Sequence, residues 1–311
     1  MEQKKTLFIS GGNGFIAYYT IKEALEKGYR VITNIITTTF IYEEEFKDQL
    51  ADGSLLVYTG ADVRDASMMY HIVERADMVI HLAGLLGTKH TRQSRVFNDV
   101  NVNGGLNILD ACSEFDIPVV FISVGNYFED NDYSSSKDFQ SRMLLKYVKY
   151  NGVRGNCVRA LNAVGPRQKV RNTGKILPTF ITRALKGEDL NVYGGKEDCS
   201  VMDLIFAGDV AKVLIEVLEK TASGEIEPGS NELQAGTGAE PTVWEIAHKV
   251  VQAVKDSGVD TQSQVVEVPM RLGETKKSRV VASAVYPLEK FRDIDEVIDE
   301  SVEWYKNNDW R

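Results

Sequence analysis

Short runs of hydrophobic residues alternate with amphipathic stretches through the first half of this 311-residue chain. The runs have the length and composition of buried β-strands, while residues 17–28 space their apolar positions as a helix does and end at Gly28. The predicted strands are residues 6–10, 31–36, 54–60, 78–84, 118–124 and 156–164. Strands that alternate with helices predict crossover connections and a parallel sheet covered on both faces.

The pattern changes after Pro166, where residues 165–178 are polar, rich in Gly, Lys and Arg, and predict a loop. Later segments alternate with less regular order. We predict helix over 179–187 and 244–258, strand over 190–195 and 264–270, and a strand entering a helix over 202–220. The chain is therefore expected to be an α/β protein. A Rossmann-type doubly wound parallel sheet would occupy residues 1–165, and residues 166–311 would form a smaller α/β lobe, part of which returns to the first domain.

The composition of the chain argues against several classes of binding partner. Hydrophobic residues make up 43% and charged residues 26% of the chain, as in soluble globular proteins, and the net charge of −9 argues against nucleic acid. The three cysteines and four histidines lack metal-ligand spacing, so we predict no metal. No apolar run is long enough to span a bilayer and no signal region begins the chain, so we expect no membrane association and a cytoplasmic location.

The first predicted strand runs directly into a glycine-rich turn, TLFISGGNGFIA at residues 6–17. Gly11 and Gly14 would let the backbone turn sharply and approach a pyrophosphate, and Phe15 and Ile16 would begin a helix whose free N–H groups bind it. Because the turn follows the first strand of an alternating pattern, it predicts a dinucleotide site.

The end of the second strand normally carries an acid that accepts the adenosine ribose hydroxyls. Residues 31–39 contain no carboxylate and no arginine, so Asn34 is the residue we expect to bond a ribose hydroxyl. The lack of a basic site for a 2′-phosphate favours NAD and leaves NADP open.

Tyr133 and Lys137 are separated by one helical turn and so share a helix face. A tyrosine has an ordinary pKa of about 10 and needs a nearby cation to act as an acid or base near neutrality. Lys137 can supply that charge.

The glycine-rich turn at residues 6–17 is the first of a series of motifs along the chain. The later ones are, in order, DVRD (62–65), HLAG (81–84), NVNG (101–104), YSSSK (133–137), RALNAVGPRQ (159–168), VYGG (192–195) and PMRLGE (269–274). Over nearly its whole length the chain resembles the extended short-chain dehydrogenase/reductases, specifically the NAD-dependent sugar-nucleotide epimerase/dehydratase family.

The resemblance implies roles for the cofactor residues. Asp62 and Val63 would lie against the adenine, and Ala83 and Gly84 would pass close to the phosphates and ribose. Tyr133 would be the general acid/base, and Lys137 would hold the nicotinamide ribose.

The same resemblance exposes departures from the family pattern. Val124 stands where a Ser or Thr normally donates a hydrogen bond to the reacting oxygen, and valine cannot donate. Ser123 is expected to point away on the strand, so Asn126 is our candidate for the missing donor. Gly125 and Asn126 also replace the Asp-Glu pair of the 4,6-dehydratases, and Asn126 replaces the glutamate common in the decarboxylases.

On the substrate side, the resemblance implies that a nucleotide-diphosphate sugar is held by the second lobe. The residues that stand where this grip is usual are Asn162, Lys175, Tyr193 and Arg271. A further customary arginine is Met202 here, so Arg271, with Arg167 or Lys175, would carry more of the diphosphate charge.

The leading hypothesis is a sugar-nucleotide 4-epimerase, or a related oxidoreductase, that acts through a transient 4-keto sugar. The alternatives are a nucleotide-sugar decarboxylase or dehydratase, and a cofactor-binding homologue whose catalysis has decayed. A homodimer formed by the helices near 95–114 and 134–150 is expected from the resemblance alone.

Overall fold

The computed structural model describes residues 4–87, 94–125, 131–170, 174–230, 233–270 and 291–308. The strands within these ranges are β1 (Thr6–Ser10), β2 (Arg30–Ile35), β3 (Leu55–Thr59), β4 (Met78–His81), β5 (Val119–Val124), β6 (Gly155–Ala160), β7 (Asn162–Val164), β8 (Leu190–Tyr193), β9 (Leu204–Phe206), β10 (Gln234–Ala235) and β11 (Val265–Val268). The α-helices are α1 (Phe15–Glu26), α2 (Lys47–Ala51), α3 (Ala66–Val73), α4 (Ser94–Phe97), α5 (Gly104–Glu114), α6 (Asp132–Asn151), α7 (Ile176–Leu185), α8 (Gly195–Asp198), α9 (Ala207–Ser223), α10 (Val243–Asp256) and α11 (Ile294–Asn307). A π-helical turn, Asn98–Asn103, joins α4 to α5.

Seven strands form one sheet in the order β10-β6-β5-β4-β1-β2-β3, and the pairs from β3 across to β6 are parallel. The direction of chain progression reverses between β1 and β4, and sheets of this kind bind ligands beyond the carboxyl ends of the strands at that point. Ser10 pairs with Asn34 of β2 on one side and with His81 of β4 on the other. The predicted fold class, a Rossmann-type doubly wound sheet, is confirmed.

The first of two compact units contains the described residues up to Ala160 and from Val210 to Gln234. Its strands are apolar on both faces because helices cover the sheet, which explains the near-continuous hydrophobic runs of the sequence. One core cluster joins the sheet to α3, α5 and α6. Its fully buried members include Phe8, Met69, Ile72, Val79, Ile108, Leu109, Val119 and Leu144.

The second unit contains the described residues from Leu161 to Asp209 and from Ala235 onward. It holds two short parallel pairs, β8 with β11 and β7 with β9. Helices α7, α10 and α11 pack around one apolar core whose members include Leu177, Ile181, Leu190, Val250, Val254, Val297 and Tyr305. A capping box of Thr242 and Glu245 begins α10, each side chain bonding the other residue's backbone N–H.

The observed elements differ from the sequence predictions at several points. The run predicted as one strand, 156–164, is interrupted at Leu161, and its second part pairs with β9 instead of continuing beside β5. Helix α11 was not predicted at all. The first compact unit ends at Ala160 and also includes residues 210–234. Among the described helices, none is long and apolar enough to cross a membrane.

Candidate active site

The glycine turn after β1 brings three predicted residues together. Gly11 has a φ of +80°, which favours glycine, and a Cβ built there would meet Cα of Ala83 at 3.0 Å. The N–H of Gly14 donates to the Gly11 carbonyl at 2.8 Å, closing the turn. Gly14 then caps α1 without a side-chain bond, so within the described part of the chain the N-cap residue supplies no side-chain acceptor to the N–H groups of the first turn, which begins with Phe15 and Ile16. An uncapped helix N-terminus behind a glycine turn fits the pyrophosphate of a dinucleotide.

Asn34 is buried at the end of β2, and its amide links two backbone segments. Its Oδ1 accepts the N–H of Gly11 at 3.1 Å, and its Nδ2 donates to the carbonyl of Ala61 at 2.8 Å. The sequence analysis expected this amide to bond a ribose hydroxyl. In the structure, both ends of the amide bond backbone groups of the protein. The side chain ties the glycine turn to the loop that carries Asp62, so Asn34 fixes two of the predicted cofactor segments relative to each other.

Sequence reasoning missed a similar role for Asn13, the residue between the glycines. Its Nδ2 donates to Thr37 Oγ1 at 2.9 Å and to the Thr39 carbonyl at 3.0 Å, while its Oδ1 accepts the N–H of Ile41 at 3.0 Å. The asparagine therefore fixes the threonine-rich loop after β2 against the turn.

Asp62 and Val63 follow β3. The Asp62 carboxylate accepts from the Arg64 side chain at 2.6 Å and 3.0 Å and from the Arg64 N–H at 2.9 Å. These side-chain bonds are the main reason that the pKa of Asp62 is lowered. Val63 is buried, and its carbonyl accepts from Asn107 of α5 at 2.9 Å.

The chain leaving β4 is held by the Ser10 hydroxyl. Its oxygen accepts the N–H groups of Leu82 and Ala83, each at 3.0 Å, and lies 2.8 Å from Nδ1 of His81. A hydroxyl has two lone pairs and one proton, so with both lone pairs used the proton is donated to Nδ1. The imidazole then carries its own proton on Nε2, which is buried and has no partner among the described residues.

Asn101, in the π-helical turn, connects the segment after Gly84 to α6. Its Oδ1 accepts the N–H of Leu85 at 2.7 Å, and its Nδ2 donates to the Leu85 carbonyl at 3.2 Å and to the Ser136 hydroxyl at 2.9 Å. Ser136 in turn donates to the Tyr133 carbonyl at 2.8 Å. One buried side chain thus joins the predicted cofactor segment to the turn that carries Tyr133.

Helix α6 begins at the predicted catalytic pair. Asn131 caps the helix, its side chain accepting the Ser134 N–H at 2.8 Å, and Gly152 ends it. Tyr133 lies in the first turn, half-buried, and Lys137 follows one turn later on the same face.

Lys137 is 3% exposed, and its Nζ donates to Oε1 of Gln140 at 2.5 Å. Burial lowers the pKa of Lys137 to about 8, so the amine is still largely protonated at neutral pH. A protonated amine on the same helix face as Tyr133 is the cation that acid/base chemistry by a tyrosine requires.

At the end of β5, Val124 is 8% exposed and pairs with Ala160 of β6. Its side chain has no hydroxyl to offer. The Ser123 hydroxyl lies 2.6 Å from the Ser141 hydroxyl, and Ser141 donates to the Lys137 carbonyl at 3.0 Å. The Ser123 hydroxyl is therefore bonded to α6 through Ser141. Asn126, the predicted substitute donor, lies outside the described residues.

The predicted substrate residues belong to the second unit. Asn162 donates through Nδ2 to the Asp203 carbonyl at 2.9 Å, Lys175 caps α7 through its backbone, and Tyr193 ends β8. Arg271 lies outside the described residues. Met202, at the position of the missing arginine, packs against the apolar core of this unit.

Comparison with known proteins identifies relatives over most of the chain. Residues 7–229 match the model of a family described as "NAD dependent epimerase/dehydratase family". A UDP-N-acetyl-alpha-D-glucosaminuronate decarboxylase of Bacillus cytotoxicus is 27% identical over 288 residues, covering 86% of this chain and 84% of that protein. A putative UDP-glucose 4-epimerase of Methanocaldococcus jannaschii is 26% identical over 260 residues, covering 77% of this chain and 79% of that protein.

Solved structures share the fold. The UDP-glucose 4-epimerase of Thermotoga maritima, determined with UDP-glucose, superimposes with a TM-score of 0.80 at 22% identity, covering 97% of this chain and 98% of that one. A UDP-N-acetylglucosamine 4-epimerase of Methanobrevibacter ruminantium gives 0.81 at 22% identity, covering 98% and 99%. The UDP-glucose 4-epimerase of Thermus thermophilus, determined with NAD, gives 0.77 at 24% identity, covering 97% and 99%.

Proposed function

The chain belongs to the NAD dependent epimerase/dehydratase family, and we propose that it is a sugar-nucleotide 4-epimerase in which Tyr133 is the acid/base. The observation that carries the proposal is the construction of α6. Tyr133 and Lys137 occupy successive turns of one helix face, and Asn101 ties their helix to the segment after β4. The pair is thus built into the same unit as the glycine turn.

The cofactor residues all come from the first unit. The turn of Gly11 and Gly14, with the helix start at Phe15 and Ile16, would hold the pyrophosphate of NAD. Four further residues would flank its adenosine and the nearby ribose and phosphate groups: Asp62, Val63, Ala83 and Gly84. Asn34 would support the site through Gly11 and Ala61. A contact of its amide with the ribose stays a prediction.

The proposed reaction moves a proton at one oxygen. The Tyr133 oxygen takes the proton of the sugar 4-hydroxyl as C4 becomes a ketone, and returns it when C4 is reduced from the opposite face. Lys137 stabilises the tyrosinate through its charge and would bond the nicotinamide ribose. NAD, when bound, would supply the acceptor for the hydride that leaves C4 and the donor of the hydride that returns to it.

The absence of the Asp-Glu pair, replaced here by Gly125 and Asn126, favours this chemistry over dehydration. Epimerisation requires only an acid/base at the C4 oxygen, whereas elimination of water requires a further acid and base near the sugar ring. Asn126 is our candidate for the donor that Val124 cannot supply.

On the substrate side, Asn162, Lys175, Tyr193 and Arg271 would hold the nucleotide diphosphate. Lys175 and Arg271 supply positive charge for the phosphates, and an arginine fork suits a diphosphate in particular. The relatives compared above are named for UDP-linked sugars, which makes a UDP-sugar the first substrate to test.

A decarboxylase is the second candidate, and one observation favours it. The Bacillus cytotoxicus relative, named as a decarboxylase of a UDP-linked uronic acid, is 27% identical over 86% of this chain. Such a reaction would also begin with Tyr133 and oxidation at C4. The resulting ketone makes the sugar a β-keto acid, and β-keto acids lose carbon dioxide readily. It would have to proceed here with Asn126 in place of the usual glutamate.

One experiment separates these functions. The purified protein is incubated with NAD and a panel of UDP-, GDP-, CDP- and dTDP-sugars that includes uronic acids, and the products are analysed by mass spectrometry and NMR. Conversion without a change of mass supports the 4-epimerase, and loss of carbon dioxide supports the decarboxylase. Intact NAD binding without turnover of any sugar would contradict both and indicate a decayed catalyst.

A homodimer formed through α4, α5 and α6 is also proposed. Val96 of α4 and Phe139 of α6 are 45% and 49% exposed, and large apolar side chains on neighbouring helices suit a helix-packing interface. Light scattering on the purified protein tests this assembly. A monomer at micromolar concentration would contradict it.

A further inference from the structure

The Gln140 side chain lies between the Lys137 ammonium and a backbone carbonyl. Its Oε1 accepts from Lys137 Nζ at 2.5 Å, and its Nε2 donates to the Asn101 carbonyl at 2.6 Å. An ammonium only donates and a carbonyl only accepts, so the orientation of the amide is fixed by its two partners. Sequence reasoning did not single out Gln140.

The surroundings leave room for this amide and little else. Gln140 is 2% exposed, and a Cβ built on Gly105 of α5 would lie 2.4 Å from Nε2. A side chain at position 105 would therefore displace the amide. The glycine and the glutamine are complementary, and water has no ready access to replace the bond to Lys137.

We propose that Gln140 is the positioning residue of Lys137, fixing the place of its ammonium and supporting its protonated state through the link to Asn101. The inference rests on the catalytic role proposed for Lys137. Gln140 touches neither substrate nor cofactor in this scheme and acts through the amine. An acceptor that bonds the charged form of a buried amine raises its pKa, against the effect of burial.

The other groups around Lys137 do not replace Gln140. The charge of Lys137 helps to lower the pKa of His81 on β4, although burial is the main cause, so the imidazole is neutral. Cys157 on β6 also faces the amine, and burial raises the pKa of its thiol to about 11, so it too is uncharged at neutral pH. The π-helical turn contributes the Asn101 carbonyl, which bonds Gln140 and does not titrate.

The titration of Lys137 tests the proposal without any substrate. The protein carries 13C-labelled lysine, and the Lys137 signal is assigned by its loss in Lys137→Met. We expect a midpoint near 8 in the wild type and a midpoint lower by about one pH unit in Gln140→Met, because the charged amine loses its acceptor. Gly105→Ala should lower the midpoint as well, whereas Gln252→Met, at an exposed glutamine of α10, should leave it unchanged.

A Lys137 midpoint that is the same in folded Gln140→Met and in the wild type would overturn the proposal. If Gln140→Met does not fold, Gln140→Glu is the second test. A carboxylate beside the amine should raise the titration midpoint of Lys137. An unchanged midpoint in this variant would also overturn the proposal. Where turnover is measurable, the alkaline limb of its pH profile should move with the NMR midpoint. The titration does not depend on turnover, so failure of the proposed function and failure of this inference remain distinguishable.

Discussion

Nδ1 of His81 lies 2.8 Å from the Ser10 hydroxyl oxygen, at the point where β1 and β4 lie side by side. The serine also accepts the N–H groups of Leu82 and Ala83, so its proton goes to the ring nitrogen. Burial is the main cause of the strongly lowered pKa of His81, and the charge of Lys137 adds to it. The folded protein therefore holds this imidazole neutral.

The first prediction concerns stability below neutral pH. The unfolded chain binds a proton at His81 below its ordinary pKa of about 6.5 and the folded chain does not, so the free energy of unfolding falls as the pH is lowered from 6.5. His81 should contribute a slope of up to about 1.4 kcal/mol per pH unit between pH 6.5 and 5. In His81→Asn, whose amide oxygen can still accept from Ser10, that part of the slope should vanish. Urea denaturation across this range measures it.

The matched control is His248→Asn, at an exposed histidine of α10. It should keep the wild-type slope. Equal slopes for the wild type and His81→Asn would show that the ring titrates freely in the folded state.

The second prediction concerns Asn34. Replacement by alanine leaves the Gly11 N–H and the Ala61 carbonyl without their buried partner. We expect the free energy of unfolding to fall by about 2–4 kcal/mol, and NAD binding to weaken because the glycine turn loses its tie. Urea denaturation and calorimetric NAD titration measure the two effects. Asn308→Ala, which removes an exposed amide bonded to the Trp304 carbonyl, should cost less than about 0.5 kcal/mol.

The third prediction tests the acid/base. Tyr133→Phe should lower kcat by roughly 100-fold or more, since positioned proton transfer contributes that much, while the affinity for NAD changes little. Kinetics on the sugar nucleotide found by the panel, with NAD titration alongside, give both numbers. Tyr150→Phe, at an exposed tyrosine in the last turn of the same helix, is the control and should behave as the wild type. Substantial turnover by Tyr133→Phe would remove the tyrosine from the mechanism.

The fourth prediction concerns the donor that replaces the missing hydroxyl. Asn126→Ala should lower kcat by roughly 100-fold, the effect of losing one donor to the reacting oxygen. Adding Val124→Thr, which matches valine in shape and brings a hydroxyl, should restore most of that loss. Val124→Ala in the same background brings no hydroxyl and should restore nothing. Full activity of Asn126→Ala alone would rule the asparagine out.

Periodicity and turn chemistry were sufficient to predict the first unit, because its strands are buried on both faces and its helices are amphipathic. The break at Leu161 could not be predicted in this way. The residues on either side of it are apolar, and only the change of pairing partner, from β5 to β9, separates β6 from β7. Helix α11 did carry a signal, since Ile294, Val297 and Ile298 recur at helical spacing after a capping Asp293.

In the candidate site, too, some residues could be predicted from the sequence and others could not. Tyr133 and Lys137 are one turn apart, so local spacing is enough to pair them. Gln140 and Asn101 are 39 positions apart, and their bond follows from how the π-helical turn and α6 pack, which no local pattern encodes. Asn34 was found by its place at the end of β2, but its hydrogen bonds depend on the backbone that lies around it.

The three hydrogen bonds of the Asn101 side chain have a consequence for protein engineering. Because one amide bonds both Leu85 and Ser136, the segment after β4 and the first turns of α6 are linked through a single side chain of the π-helical turn. A designer who grafts the Tyr133 and Lys137 helix onto another nucleotide-binding sheet must carry the π-helical turn, Asn98–Asn103, along with it. A graft of the helix alone would bring both proposed catalytic side chains without the turn that Asn101 bonds to Ser136.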